Sequence, residues 1–255
     1  MLNVKGRLVD LVRKALGIPC LEHKLNNIDG TLGSFCGTIK TLLNSQIFRS
    51  AIEDCDWLKY KSFVPGGWAM DNAGLYTLFR VINNMKPKRI LEFGLGQSSL
   101  MIHQYTSFYN DAIALTIEHD TEWTEFFMKG IQGCIKIEVA QHDTEFVEYN
   151  SFRTLRYKNI EKFTDKWYDF FVVDGPFGSE HYSRSQIIDI VKAGLPDRFC
   201  IFIDDSDRCG EKETIGEICT VLANRKIEYH RAEYFGEKNQ HAVLCSKDLK
   251  FLTSL

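Results

Sequence analysis

Two glycines follow an apolar segment in the first half of the chain. The segment RILEFG ends at Gly94, and Gly94-Leu95-Gly96 leads into the polar, helix-like sequence QSSLM. A turn of this kind at the carboxyl end of a parallel strand lets the backbone approach a ligand closely. Dinucleotide-binding turns read GxGxxG, and here the third position is Ser99. Gly94, Gly96 and Ser99 are therefore candidate cofactor-binding residues, although the turn alone does not identify the cofactor.

Three carboxylates near this turn are further candidates for cofactor binding. Glu118 ends the next predicted strand, about twenty residues after the glycines, where a carboxylate can accept hydrogen bonds from ribose hydroxyls. Asp143 follows the third strand, near the expected place of an adenine amino group. Glu92 lies inside the strand before the turn, where a buried carboxylate must be paired or reach a polar ligand. Glu92 suits the ammonium and sulfonium of S-adenosylmethionine better than the pyrophosphate of NAD. The alternative is that Glu118 and Asp143 are ordinary strand-end acids and that Glu92 is a partly exposed glutamate bonded to a neighbouring loop.

Aspartates also end two later strands. Asp174 ends FFVVD, and Asp204 and Asp205 end FCIFIDD. In a doubly wound sheet these ends are neighbours, and three converging carboxylates need a cation among them. That cation is either a divalent metal held by Asp174, Asp204 and Asp205, or an arginine, with Arg184 and Arg208 as candidates. A third interpretation makes one aspartate the general base for a hydroxyl.

The catalytic candidates are Asp174, Asp204 and His181. His181 lies in the loop after Asp174, and an unperturbed imidazole titrates close to neutral pH. Arg184 and Arg208 are candidates for binding a carboxylate or phosphate of the acceptor, with surface ion pairing as the alternative.

The elements that must position these residues alternate between strand and helix from residue 88 onward. Nearly continuous apolar runs predict buried parallel strands, and the helices between them predict right-handed crossovers. The last two strands, IEYHRAEYF and HAVLCSK, are joined by a short segment that predicts an antiparallel hairpin. The sequence thus predicts an α/β fold: a doubly wound, mostly parallel, seven-stranded Rossmann-like sheet with a terminal antiparallel hairpin and an N-terminal helical extension. Residues 1–62 form the predicted extension or acceptor-site cap, and residues 63–255 the cofactor-binding domain.

Composition limits the partners. The 255 residues carry a formal net charge of −3, which gives no general attraction to nucleic acid or to an anionic membrane. No apolar run is long enough for a membrane span. The eight cysteines are irregularly spaced, which favours buried free thiols in a reducing, cytoplasmic location. Residues 4–17 have an amphipathic pattern, for which the alternatives are packing on its own domain, formation of a homodimer and contact with a membrane surface.

Together these motifs resemble the class I S-adenosylmethionine-dependent methyltransferases. FGLGQSSLM, IEHDTEW, VVDGPFG and DDSDRCGEK resemble the glucuronoxylan methyltransferase and polysaccharide-biosynthesis family, over roughly residues 89–215. That family carries His-Asp where this chain has Asp204-Asp205, and the Asp-Asp pair is closer to magnesium-dependent sugar O-methyltransferases. The second resemblance implies that Asp174, Asp204 and Asp205 bind Mg²⁺ or another divalent cation.

The sequence therefore predicts an O-methyltransferase that uses S-adenosylmethionine and acts on a sugar hydroxyl of a glycan or glycoconjugate, with a small molecule or a glycan as the acceptor partner. Two alternatives are an NAD-dependent oxidoreductase, since Ser99 is small, and a non-catalytic binding module of the same fold.

Overall fold

A computed structural model describes residues 9, 12–64, 67–131, 135–163 and 168–255 of the chain. The chain divides into two compact units, residues 1–43 and 44–255. The predicted boundary after residue 62 lies beyond this division, and the role of residues 1–62 as an acceptor-site cap stays a prediction. Of the amphipathic N-terminal pattern, Val4 and Leu8 lie outside the described residues.

The predicted helices are present, and their polar ends have clear local causes. Asp71 begins the second helix by accepting a hydrogen bond from the Gly74 amide at 2.8 Å, as an N-cap residue does. Asp120 caps the fourth helix in the same way through the Trp123 amide. Six α-helices lie wholly within the described residues: α1 (Ile18–Ile52), α2 (Asn72–Met85), α3 (Gln97–Phe108), α4 (Thr121–Gly130), α5 (Gln186–Ala193) and α6 (Cys209–Asn224).

The main sheet has seven strands in the order β3-β2-β1-β6-β7-β9-β8, which confirms the predicted doubly wound sheet. All neighbours pair in parallel except β9, which lies antiparallel between β7 and β8 and closes the predicted terminal hairpin. The strands are β1 (Arg89–Phe93), β2 (Ile113–Glu118), β3 (Val139–Gln141), β6 (Phe170–Val173), β7 (Cys200–Ile203), β8 (Tyr229–Phe235) and β9 (Gln240–Ser246).

A second, two-stranded antiparallel sheet was not predicted. It pairs β4 (Thr144–Tyr149) with β5 (Phe152–Tyr157). Asn150 and Ser151 form the turn, both with positive φ, as two-residue hairpin loops require. The charged residues of these strands obscure the alternation of apolar and polar residues that is typical of a strand. The one feature of the sequence that indicates a hairpin here is Asn150, a turn-forming residue between two segments that contain aromatic residues.

Both faces of the main sheet are covered, as the apolar strands predicted. Alternate residues of a single strand enter different clusters: Phe170 and Val172 pack against α2 and α3, whereas Phe171 and Val173 pack against α5 and α6. Phe48 and Ile52, which belong to the second unit, are buried in the first of these clusters. This packing fixes the carboxyl ends of β1, β2, β6 and β7 along one edge of the sheet.

Cysteine burial differs from the prediction. Cys200 and Cys245 are buried free thiols, but Cys20, Cys36 and Cys209 are exposed. These three lie in or at the start of helices rather than in the apolar strands on which the prediction rested. Among the described helices, none combines the length and the apolar character that crossing a bilayer requires.

Candidate functional site

The two positions of the turn after β1 that carry glycine differ in whether the surrounding structure requires it. Gly94 has a φ of +100°, and an added Cβ would lie 2.9 Å from the backbone oxygen of Asp174. Glycine is therefore required at position 94 by the protein itself. Gly96 has extended φ and ψ, and an added Cβ would meet no described atom within 4 Å. The space beside Gly96 is therefore open to a side chain or a ligand.

The residue between the glycines is held at both of its backbone polar groups. The Leu95 amide donates to Glu118 at 2.9 Å, and the Leu95 carbonyl accepts from the Trp123 indole at 2.8 Å. Glu118 also accepts from the amides of His119 and Asp120. Burial alone would raise the pKa of Glu118, but the adjacent His119 ring and these amides outweigh burial and lower it. Glu118 is thus an anion at neutral pH at the side of the glycine turn.

Ser99 replaces the third glycine with a cap. Its hydroxyl accepts a hydrogen bond from the Gly96 amide at 3.0 Å, which satisfies a donor at the start of α3. The Ser99 side chain is fully buried. Ser99 therefore shapes the turn from beneath, and its direct contact with a cofactor stays a prediction.

Glu92 is fully buried in a hydrogen-bonded chain. Its two oxygens accept from Ser98 and Thr116, both at 2.6 Å. Thr116 is in turn 2.9 Å from Nε2 of buried His103. Burial raises the pKa of Glu92 to about 7 and lowers that of His103 to about 4, so the imidazole is neutral at pH 7. The partners that a strand carboxylate needs are thus supplied by the protein.

Asp143 lies at the surface. Its side chain is 84% exposed, and Lys158 is 3.6 Å from it. The proposed contact of Asp143 with an adenine amino group stays a prediction.

The three aspartates of the later strands converge, as predicted. One carboxylate oxygen of each of Asp174, Asp204 and Asp205 lies within 4.8 Å of the other two. The cation among them is Arg184, whose guanidinium lies 3.2 Å from Asp174 and 3.0 Å from Asp205. Arg184 is almost completely buried, and it also donates to the Asp204 carbonyl. Of the alternatives drawn from the sequence, an arginine is therefore present at the centre of the cluster.

Asp204 has a second cationic partner. Nδ1 of His241 on β9 lies 2.6 Å from Asp204, and Nε2 lies 3.2 Å from Asp71. Burial alone would lower the pKa of His241, but the two carboxylates raise it to about 10. Burial would raise the pKa of Asp204, and the imidazolium lowers it instead. This buried Asp71–His241–Asp204 triad joins the N-terminus of α2 to the end of β7.

The carboxylate of Asp205 has several partners within the protein. Its backbone has a φ of +57°, and its carboxylate contacts Arg184, Arg208 and Asn239. Arg208, 2.8 Å from Asp205, has a half-exposed side chain that leaves part of its guanidinium to solvent.

Asp174 is the most exposed of the three aspartates in the cluster. Its side chain is 23% exposed, and within the described residues its ion pair is with Arg184. Burial and the neighbouring Asp204 carboxylate raise the pKa of Asp174 well above its ordinary value. A carboxylate of raised pKa is a stronger base than a surface aspartate.

His181 belongs to a second group of side chains. Its Nδ1 lies 2.9 Å from Glu213, and its ring stacks on Phe152 with centroids 3.9 Å apart. His181, Glu213 and Cys209 bring one potential ligand atom each within 4.8 Å of one another. The catalytic role of His181 stays a prediction.

Sequence reasoning did not find the contacts of His241 with Asp71 and Asp204, or the contact of Trp123 with Leu95. His241 faces Asp204 only because β9 inserts antiparallel beside β7. The Trp123 indole donates to the Leu95 carbonyl from 28 residues further along the chain, a contact that neither local sequence predicts. Trp68 remains 95% exposed, in the segment that precedes Asp71.

No protein-family model matches the chain, and no similar sequence is found among curated proteins. Solved structures with a similar arrangement include a Staphylococcus aureus protein assigned as a caffeoyl-CoA O-methyltransferase, at 15% identity and a TM-score of 0.47, over 85% of this chain and 99% of that one. A methyltransferase of Podospora anserina, PaMTH1, is similar at 14% identity and a TM-score of 0.45, over 87% and 96%. The O-methyltransferase TomG of Streptomyces achromogenes is similar at 14% and 0.43, over 81% and 89%. What this chain does must be inferred from its own residues, and its resemblance to the polysaccharide-biosynthesis family stays a prediction.

Proposed function

We propose that the protein is an S-adenosylmethionine-dependent O-methyltransferase whose acceptor is a sugar hydroxyl. The observation that carries the proposal is the turn Gly94-Leu95-Gly96, held open at the end of β1 between Glu118, Trp123 and the aspartate cluster. S-adenosylmethionine supplies an electrophilic methyl group on a sulfonium, and alignment with the attacking oxygen provides much of the rate in such a reaction.

The residues around the turn fit this cofactor. The open space above Gly96 admits a ligand against the backbone, and Glu118 is an anion beside it, suited to ribose hydroxyls. Glu118 already accepts hydrogen bonds from protein amides, so it would bind ribose through its remaining acceptor sites. Glu92 holds the start of α3 through Ser98 rather than contacting the ligand.

Asp174 is the proposed general base. It lies next to the turn, because its amide donates to the Phe93 carbonyl at the end of β1. Its raised pKa and partial exposure allow it to accept the proton of an acceptor hydroxyl. Arg184 would position Asp174, because the two side chains form an ion pair. Asp204 would contribute by raising the pKa of Asp174.

A sugar acceptor is supported by an exposed aromatic side chain that precedes Asp71 closely in the sequence. Trp68 presents an uncovered indole, and Asp71, three residues later, joins the aspartate cluster through His241. The apolar face of a sugar ring packs on such an indole, while its hydroxyls reach polar groups. Partly exposed Arg208 suits an acceptor that also carries a carboxylate or phosphate.

We further propose that the reaction needs no divalent metal. Arg184, Arg208 and His241 already provide cationic partners for Asp174, Asp204 and Asp205. These three aspartates fit a metal ion poorly. The buried Arg184 guanidinium already pairs with Asp174 and Asp205, and a metal ion bound by the three carboxylates would have to displace it from both. The competing interpretation is the metal-dependent type, in which Mg²⁺ replaces these contacts.

Calorimetric titration with S-adenosylhomocysteine, with and without Mg²⁺ and with NADH as control, tests the donor. We expect binding of S-adenosylhomocysteine that is independent of Mg²⁺, and no binding of NADH. Tight NADH binding would favour the oxidoreductase, and an absence of binding to both would favour the non-catalytic module. Binding that requires Mg²⁺ and is lost in Asp204→Ala would support the metal-dependent type.

The acceptor is tested by transfer of a labelled methyl group to a panel of nucleotide sugars, oligosaccharides and catechols. We expect label on a sugar, reduced in Trp68→Ala but retained in Trp68→Phe. Exclusive labelling of a catechol would overturn the sugar assignment while leaving methyl transfer intact.

A further inference from the structure

The first helix carries a row of exposed apolar side chains that the proposed reaction does not use. These side chains follow one another at alternating intervals of four and three residues, and each is 40 to 65% exposed. The row consists of Leu21, Leu25, Ile28, Leu32, Phe35, Ile39 and Leu42.

The spacing is a heptad repeat. With Leu25, Leu32 and Ile39 at position a, the residues at position d are Leu21, Ile28, Phe35 and Leu42. The flanking e and g positions are mostly polar, for example Lys24, Asp29 and Thr31. A narrow a/d row is typical of a coiled-coil seam, whereas a helix that packs on its own domain has a wider apolar face.

The glycines of α1 agree with this register. Gly30, Gly33 and Gly37 occupy positions f, b and f, which face away from a coiled-coil partner. Glycine weakens an isolated helix, so this segment depends on burial of its apolar row for stability.

We propose that residues 18–42 form a parallel two-stranded coiled coil with a second copy of this chain. In a parallel pair, a residue at position g faces the e position five residues later on the partner helix. Here g is Lys24 and e is Asp29, so the pairing produces two opposite-charge contacts by symmetry. An antiparallel arrangement would instead pair g positions with g and e positions with e, so that Lys24 would not face Asp29 of the partner helix.

The charges of the helix do not suit a membrane surface. Between Leu21 and Leu42 the acids are Glu22 and Asp29, and the bases are Lys24 and Lys40. Helices that lie on anionic membranes have polar faces rich in lysine and arginine, whereas this face is balanced.

Sedimentation equilibrium of the full chain at micromolar concentration tests the proposal. We expect the mass of two chains for the wild type and of one chain for Leu25→Glu/Leu32→Glu, a loss of at least about a hundredfold in affinity. The matched control, Asn26→Glu/Ser34→Glu, adds the same charges at positions b and c and should remain a dimer. A monomeric wild type, or a core variant that remains a dimer, would overturn the proposal.

Charge reversal tests the parallel orientation. Lys24→Glu and Asp29→Lys should each weaken dimerisation by about tenfold, and the double variant should restore it. If the double variant instead lost as much free energy of dimerisation as the two single variants together, the parallel register would be excluded. S-adenosylhomocysteine binding should be unchanged in all these variants, which separates this result from the test of the proposed reaction.

Discussion

At the scale of single residues, the two glycines of the turn differ in what the protein itself requires of them. Gly94 is needed because its φ is positive and because Asp174 lies against it. Gly96 has no such reason within the described residues, since space adjoins its Cα. The fold therefore requires glycine at position 94, whereas the requirement at position 96 belongs to the proposed cofactor.

Substitution separates the two roles. Gly94→Ala should lower the free energy of unfolding by about 3 kcal/mol, from backbone strain and the contact with Asp174. Gly96→Ala should change it by less than about 1 kcal/mol but weaken S-adenosylhomocysteine binding about tenfold. Denaturant unfolding and calorimetry measure the two effects. Equal destabilisation by both variants would contradict a ligand-facing role for Gly96.

Glu92 should make stability depend on pH. Its pKa is raised from 4.5 to about 7 on folding, so its contribution is fully present below pH 4.5 and is lost as pH rises through 7. Glu92→Gln cannot ionise, and its deficit relative to the wild type should shrink by about 3 kcal/mol between pH 4.5 and pH 8. Denaturation at a series of pH values measures this, with exposed Glu122→Gln as the control. A constant deficit would show that Glu92 does not titrate in this range.

Asp174 should affect turnover without affecting donor affinity. Asp174→Asn should lower kcat by about 10²- to 10⁴-fold, because amide nitrogen cannot accept the hydroxyl proton. S-adenosylhomocysteine affinity should change less than about twofold. In the wild type, activity should rise with pH through the raised pKa of Asp174. Asp207→Asn is the control, and retention of full activity in Asp174→Asn would move the base elsewhere.

At the scale of elements, one histidine connects three parts of the fold. His241 on β9 contacts Asp204 at the end of β7 and Asp71 at the start of α2. Asp71 in turn accepts from the amides of Glu237 and Lys238 in the β8–β9 loop. The triad therefore holds the segment before α2 and the terminal hairpin at the edge where the aspartates converge.

Removing the imidazolium should be costly and pH-dependent. His241→Gln should lower the free energy of unfolding by about 3 kcal/mol at pH 6, because two buried carboxylates lose their cation. The pKa of His241 rises from 6.5 to about 10 on folding, so the wild-type contribution is present below pH 6.5 and is lost toward pH 10. The difference between wild type and variant should therefore narrow over that range in denaturant unfolding. His230→Gln on β8 is the control, and a pH-independent difference would contradict a charged His241.

At the scale of the whole molecule, the two units differ in what they contain. The buried clusters and the candidate site lie in residues 44–255, whereas the heptad row lies in residues 1–43. A chain that begins at residue 44 should bind S-adenosylhomocysteine with affinity within about threefold of the full chain. Calorimetry measures this. Loss of donor binding would show that the first unit contributes to the site, and loss of methyl transfer alone would support the predicted acceptor-site cap.

Local pattern was sufficient for much of the fold. Continuous apolar strands, the glycines after β1 and the acids at strand ends predicted the sheet, its terminal hairpin and the convergence of Asp174, Asp204 and Asp205. These features depend on periodicity and on the rule that parallel strands end at one edge, both of which a sequence carries. The β4–β5 hairpin was missed because its charged residues hide the alternation.

Only the tertiary structure decided which arginine lies among the aspartates and what holds the turn. Arg184 and Arg208 were both compatible with the sequence, and their burial and distances, which the sequence does not give, place Arg184 between Asp174 and Asp205. The contacts of His241 with Asp204 and of Trp123 with Leu95 join residues far apart in the chain. Such contacts depend on strand order and helix packing, which residue type and spacing do not encode locally.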